Sequence, residues 1–140
     1  MAEQNDAEKT IQGLQYMQQV YQSQYEAITN ETSLLVEYIN DLNMTKSTIE
    51  HREKLKSAGL LSPIGSKAFI NATISENTKF IINVGANYFV EQTAEEALQT
   101  INRKIEAHTE QFQSLIKARS EVENALYDIA AKLENILKQE

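Results

Sequence analysis

Two runs of alternating three- and four-residue spacing constrain the fold of this chain more than any other feature in it. The first passes through Ile11, Leu14, Gln18, Tyr21, Tyr25, Ile28, Thr32, Leu35, Ile39, Leu42, Lys46 and Ile49, and nine of its twelve positions are apolar. The second passes through Leu98, Ile101, Ile105, His108, Phe112, Leu115, Arg119, Val122, Leu126, Ile129, Leu133 and Ile136, with ten of twelve apolar. A mean spacing of 3.5 keeps one stripe of a helix facing a partner helix, and both runs outlast what a globular helix of ordinary length needs. Each run reads as one arm of a coiled coil. At ~1.5 Å per residue, arms of about 50 and 45 residues would span about 75 and 70 Å. Such matched lengths predict that the arms fold back on each other as an antiparallel pair.

Between the arms the chemistry changes. Of four glycines and one proline in 140 residues, Gly59, Pro63, Gly65 and Gly85 all fall within residues 59–92, and only Gly13 lies elsewhere. The apolar period drops to two, as in strands. Ala68, Ile70, Ala72 and Ile74 share one face of a first strand, and Phe80, Ile82 and Val84 share one face of a second. Ser75–Thr78 is a turn by composition, Gly85-Ala86-Asn87 is a tight reversal tolerant of positive φ, and Tyr88–Val90 is another short strand. Leu60–Ile64 forms a fourth strand, kept to an edge because Pro63 has no amide hydrogen. Thr93-Ala94-Glu95-Glu96 is a capping box that should open the second helix at Ala94. The expected fold is mainly α with a small β insert: a long antiparallel helical coiled-coil hairpin with two β-hairpins at the bend. Residues 1–140 then form a single unit, with a first arm over about 6–58, a β segment over about 59–92 and a second arm over about 93–139.

Charge and composition exclude several function classes. Thirteen basic and twenty acidic residues give −7, and the four charges of the centre (Lys67, Glu76, Lys79, Glu91) cancel, so the imbalance lies on the arms. Phosphate would be repelled, which argues against nucleic acid or an anionic membrane as partner. The densest cationic run, Arg52, Lys54 and Lys56, is interrupted by Glu50 and Glu53. Cysteine is absent, which removes disulfides, thiolate chemistry and sulfur-bound zinc. No window holds the ~20 apolar residues of a membrane span, and the first ten residues lack the regions of a signal peptide. A cytoplasmic location is expected. His51 and His108 are too far apart in sequence to suggest a metal site. Glu95, Glu96, Glu121 and Glu123 read as surface and helix-start charge. Neither a phosphate-cradling glycine loop nor a Ser-His-Asp arrangement is present, so no enzyme activity and no cofactor are expected. His108, Arg119, Lys46, Gln18 and Thr32 interrupt the seams and read as setters of register, with Glu31 as the expected partner of Arg119.

The apolar content of the centre asks for partners. Phe69, Ile70, Ile74, Phe80, Ile82, Val84, Tyr88, Phe89 and Val90, disposed about the Gly85 turn, exceed what so short a segment can cover, and free strand edges pair with other chains. Closure into a barrel would need strands from other subunits, so an oligomer is expected. At the far end of the arms, Tyr16, Met17 and Val20 lie off the seam beside Ile11, Leu14 and Tyr21. Paired positions that sum to about 150 bring Leu133, Ile136 and Leu137 to the same end. Methionine adapts to many shapes, and Gly13 costs about 1 kcal/mol in a helix interior. These residues are either ordinary isolated surface apolars or a surface that holds apolar segments by many weak contacts.

Asn83–Ala97, preceded by Leu61-Ser62-Pro63-Ile64-Gly65 and Phe69–Ile74, resembles the α-type subunits of the prefoldin family in their archaeal form. That resemblance implies an ATP-independent chaperone subunit. It would assemble with a second copy of itself and four β-type subunits as an α2β4 hexamer, whose hairpins form a double β-barrel platform carrying six coiled coils. The coil tips would hold unfolded polypeptide, prevent its aggregation and deliver it to a group II chaperonin. Two hairpins per chain mark the α type, and Asn87 stands where the family usually has a second glycine. The alternative is a structural coiled-coil scaffold that tethers defined proteins without holding clients.

Overall fold

The computed structural model describes residues 1–139. It contains α1 (Ala2–Glu50), α2 (Arg52–Ala58), β1 (Leu60–Gly65), β2 (Ala68–Ala72), β3 (Phe80–Gly85), β4 (Tyr88–Gln92) and α3 (Ala94–Lys138). These divide into two compact units, one made of residues 38–108 and the other of residues 1–37 with the chain from 109 onward.

In the 38–108 unit, Leu42 and Ile49 of α1 bury against Ala94, Ala97 and Ile101 of α3, and Phe80, Ile82, Leu98 and Ile105 pack on that cluster. Alanine at 94 and 97 keeps the α3 surface low enough for the β3 side chains to reach Ile49, which is only 2% exposed. Tyr38 meets His108 edge to face, with centroids 4.8 Å apart and planes at 87°, while Arg52 reaches Glu95 at 3.5 Å. As α1 rises from 38 to 50, α3 therefore falls from 108 to 95, and the two run antiparallel.

In the other unit the buried set is Thr32 and Leu35 of α1 with Val122 and Ile129 of α3. Thr32 can occupy a seam position because its hydroxyl donates to the Ile28 carbonyl at 2.7 Å. Every one of the 24 seam positions named above is buried or half-buried. The period of 3.5 thus located the stripe correctly on both helices. One expected contact is not formed: Arg119 is half-buried, Glu31 is exposed, and no ion pair joins them among the described residues. Residues 18–25 of α1 share a groove with 123–130 of α3, which sets Arg119 level with Thr29 and leaves Glu31 on the outer face.

The first helical arm differs from expectation at its start and in its continuity, while its end at Ala58 agrees. It begins at Ala2, and it breaks at His51 (φ −101°, ψ 25°) before α2 resumes. The Ser47 carbonyl still receives the His51 amide at 3.0 Å, as in a regular turn, and lies 2.8 Å from the ring Nδ1. Gly59 then ends α2 at φ 75°, ψ 175°, a conformation open to glycine alone, with its amide on the Leu55 carbonyl at 3.0 Å.

Two antiparallel hairpins follow. β1 pairs with β2 from Leu60↔Ala72 to Gly65↔Ala68, and β3 pairs with β4 from Phe80↔Gln92 to Gly85↔Tyr88. Ser75–Thr78 links the hairpins, closed by Thr78 N–H on the Ser75 carbonyl at 3.1 Å and Ser75 N–H on the Thr78 hydroxyl at 2.8 Å. Thr73 and Ile74 stay outside β2, because Leu60 faces Ala72 and the backbone at Gly59 turns away, leaving them no strand to pair with. The capping box forms as read: Glu96 N–H donates to the Thr93 hydroxyl at 3.2 Å and Thr93 N–H to the Glu96 carboxylate at 3.1 Å. Such a cap is worth about 1 kcal/mol.

The reversal between β3 and β4 is a two-residue turn with positive φ at both Ala86 (49°) and Asn87 (62°), as a type I′ turn requires. Asparagine tolerates this; alanine does so at a cost of about 1–2 kcal/mol. Replacing Ala86→Gly should therefore stabilise the chain by about 0.5–1 kcal/mol, after allowance for glycine's greater freedom when unfolded. At fixed protein concentration this appears as a higher urea midpoint with unchanged slope, and a lower midpoint would contradict the turn geometry.

Candidate functional site

The β segment presents one candidate surface. Strand alternation decides which side chains reach the helices: Phe80 and Ile82 go inward onto the core cluster, so Ile81 faces away. The register places Phe89 opposite Asn83 and Glu91 opposite Ile81, on that same outer side. Tyr88 is 72% exposed, Ile81 67% and Phe89 63%, with Val84 and Val90 also exposed. Two polar contacts hold this hairpin to α3: the Lys104 ammonium donates to the Asn83 carbonyl, and Thr100 Oγ1 to Gln92 Oε1 at 3.1 Å. On the other hairpin Leu61, Ile64, Phe69 and Ile70 are exposed. Each sheet has only two strands, so every strand keeps one unpaired edge.

Of the residues picked from the sequence for assembly, Phe69, Ile70, Val84, Gly85, Tyr88, Phe89 and Val90 are exposed, whereas Ile74 is half-buried beyond the end of β2. Phe80 and Ile82 are half-buried against the chain's own helices. Leu61, Ile64 and Ile81 carry the same chemistry and were not among the residues expected to drive assembly. Their signal was the complementary set of alternate positions, since a two-stranded hairpin has two faces.

The second candidate surface lies in the unit of residues 1–37 with the chain from 109 onward. Tyr16, Met17, Val20 and Leu137 are exposed there, while Ile11, Leu14, Tyr21, Leu133 and Ile136 are half-buried in the seam. α1 runs unbroken through Gly13, and a Cβ built on that residue would meet nothing within 4 Å. Gly13 is therefore a helix-interior glycine. Tyr127, 75% exposed, belongs to the same unit. An aromatic directly after seam residue Leu126 could have been flagged by the logic that flagged Tyr16.

Neither surface holds a concentration of polarised groups. Among the described residues no three His, Asp or Glu side chains gather as metal ligands, and no helix is long and apolar enough to cross a membrane. The Glu53 carboxyl is held below its ordinary value by the hydrogen bond from Lys56 at 2.8 Å. His108 Nδ1 is buried without a hydrogen-bond partner. What the arrangement supplies is apolar area in two settings, one on short strands and one on long helices.

This geometry defines a coiled-coil hairpin protein with β-hairpins inserted at the bend, and its relatives give the class a family. A sequence profile described as prefoldin subunit matches residues 21–139. The prefoldin subunit alpha of Pyrococcus horikoshii is 25% identical over 94% of this chain and 90% of its own length. That of Methanosarcina acetivorans is 29% identical over 92% of this chain and 96% of its own. Among solved structures, a chain from the cryo-EM structure of filamentous PFD from Methanocaldococcus jannaschii is similar with a TM-score of 0.55 and 26% identity, covering 87% of this chain and 96% of that one. The chain belongs to the prefoldin family of chaperones, as a subunit of the archaeal alpha type.

Proposed function

We propose that this chain is the α-type half of an ATP-independent holding chaperone. It joins β-type subunits and a second copy of itself through the β segment, holds unfolded polypeptide at the arm tips and passes it to a group II chaperonin. The observation that carries this reading is the exposure of Leu61, Phe69, Ile81, Tyr88 and Phe89 on strands with open edges. Exposed apolar side chains of that kind on each hairpin mark an interaction surface on a water-exposed chain, and open edges favour added strands as the way to cover them. Tyr16, Met17, Val20 and Leu137 supply the second half: exposed, adaptable and non-directional contacts that gain strength when several arms act together.

The function needs no chemistry. Holding is reversible apolar contact, and release follows when a partner with greater affinity takes the client. The test combines the chain with its cognate β-type subunit, measures the mass of the product by light scattering, and adds the product to a denatured client without nucleotide. A defined hetero-oligomer that suppresses aggregation is expected. Monomers of both subunits, or a complex that leaves aggregation unchanged, would overturn it. Mass also separates a closed hexamer from a longer assembly.

A further inference from the structure

The unit of residues 1–37 with the chain from 109 onward contains twelve acidic and five basic residues, whereas residues 38–108 contain eight of each. All of the −7 therefore belongs to the first unit. Within it α1 and α3 leave an open groove of about 450 Å³, whose lining joins apolar Tyr25, Leu126, Tyr127 and Ala130 with polar Gln18, Gln22 and Glu123. Glu26 and Asp128, next to the two groove tyrosines, are exposed.

We propose that this groove seats client segments of one chemistry: an apolar or aromatic stretch flanked by lysine or arginine. This rests on the client-holding reading and adds a preference to it. The lining removes apolar side chains from water, and the exposed Tyr127 face can take a cation as well as an apolar group. The surrounding negative potential draws cationic flanks from up to about 10 Å away at 0.1 M salt. Acid-flanked segments meet the same field as repulsion, so the preference comes as much from rejection as from attraction. Because the groove is open, it places little demand on the order of the apolar residues, as holding a range of unfolded chains requires.

The experiment uses the assembled complex and dye-labelled peptides with one shared apolar core, flanked by lysines or by glutamates, plus a lysine-flanked peptide with a serine core. In about 0.1 M salt the lysine-flanked peptide should bind roughly tenfold more tightly than the glutamate-flanked one. The ratio should shrink towards unity in about 1 M salt, where screening is nearly complete. The serine-core peptide should bind weakly at both. Glu123→Lys should narrow the lysine preference severalfold, and Tyr127→Ser, at an exposed position off the seam, should weaken the lysine-flanked peptide severalfold without loss of helix content. If Glu123→Lys fails to fold, Tyr127→Ser carries the test alone. Equal affinity for both charge types, or unaltered peptide binding in folded Tyr127→Ser, overturns the proposal. So does loss of chaperonin binding in that variant with peptide binding intact, which would make the groove a docking face for a folded partner. Failure of the unmodified complex to suppress aggregation would instead remove the client-holding reading itself.

Discussion

Replacing Phe69 and Phe89 with serine is expected to abolish assembly while leaving the separate chain folded. Both rings are more than 60% exposed in the subunit, so their loss leaves no cavity in its core. Burying a phenylalanine side chain contributes about 1.5–3 kcal/mol. Two such losses per chain amount to about 3–6 kcal/mol, which weakens association roughly a hundredfold to ten-thousandfold. Light scattering of the variant mixed with β-type subunits should then report free subunits where the parent chain gives a complex, at equal helix content by circular dichroism. Phe80→Ser supplies the contrast. That ring packs on Ile49 and its neighbours, so its removal should lower the thermal midpoint of the subunit itself. A complex of unchanged mass from the Phe69/Phe89 variant would show that this face is not the one that associates.

What could be read in advance, and what could not, follows from how local each cause is. The helix seams were legible because burial along a coiled coil repeats every 3.5 residues, and even Thr32, with its hydroxyl turned onto Ile28, obeys the repeat. The start of α3 was legible because a capping box is complete within four residues. The break at His51 was not, since neither proline nor glycine marks it. The end of β2 was misplaced for a related reason: Thr73 and Ile74 continue the alternation, but a strand needs a neighbour, and β1 begins only at Leu60. Alternation grouped Phe80 with Ile82 correctly, yet whether that set or Ile81 faces outward depends on where α1 and α3 lie. The Arg119 and Glu31 pairing failed by two residues because sequence symmetry estimates register only to about that precision. For the arm residues, the off-seam position of Tyr16, Met17 and Val20 implied exposure, which the structure has. The concentration of all net charge in the same unit emerges only once the two units are distinguished.

Exposure also decides how the client surface should be tested. Substituting Leu14 or Tyr21 would confound the result, since both are half-buried in the seam and their loss would loosen the helix pair. Tyr16, Met17 and Val20 stand outside it and are all exposed, so serine at these three positions removes apolar area without opening the coil. If each contributes about 0.5–1 kcal/mol when partly covered by a client, the triple variant loses about 1.5–3 kcal/mol per arm. That is a tenfold or greater loss of affinity, multiplied when several arms grip one chain. The complex should still form with normal mass, while the concentration needed to halve aggregation of a denatured client rises at least tenfold. The reverse change is available at Gly13. Gly13→Ala adds a methyl group into open space and removes about 1 kcal/mol of helix-interior penalty, so it stiffens the same stretch without altering its apolar area. Unchanged holding by Gly13→Ala together with lost holding by the triple variant would identify exposed apolar area as the working element. Lost holding by Gly13→Ala would show that the stretch must loosen to bind, and full holding by the triple variant would move the client site off this helix.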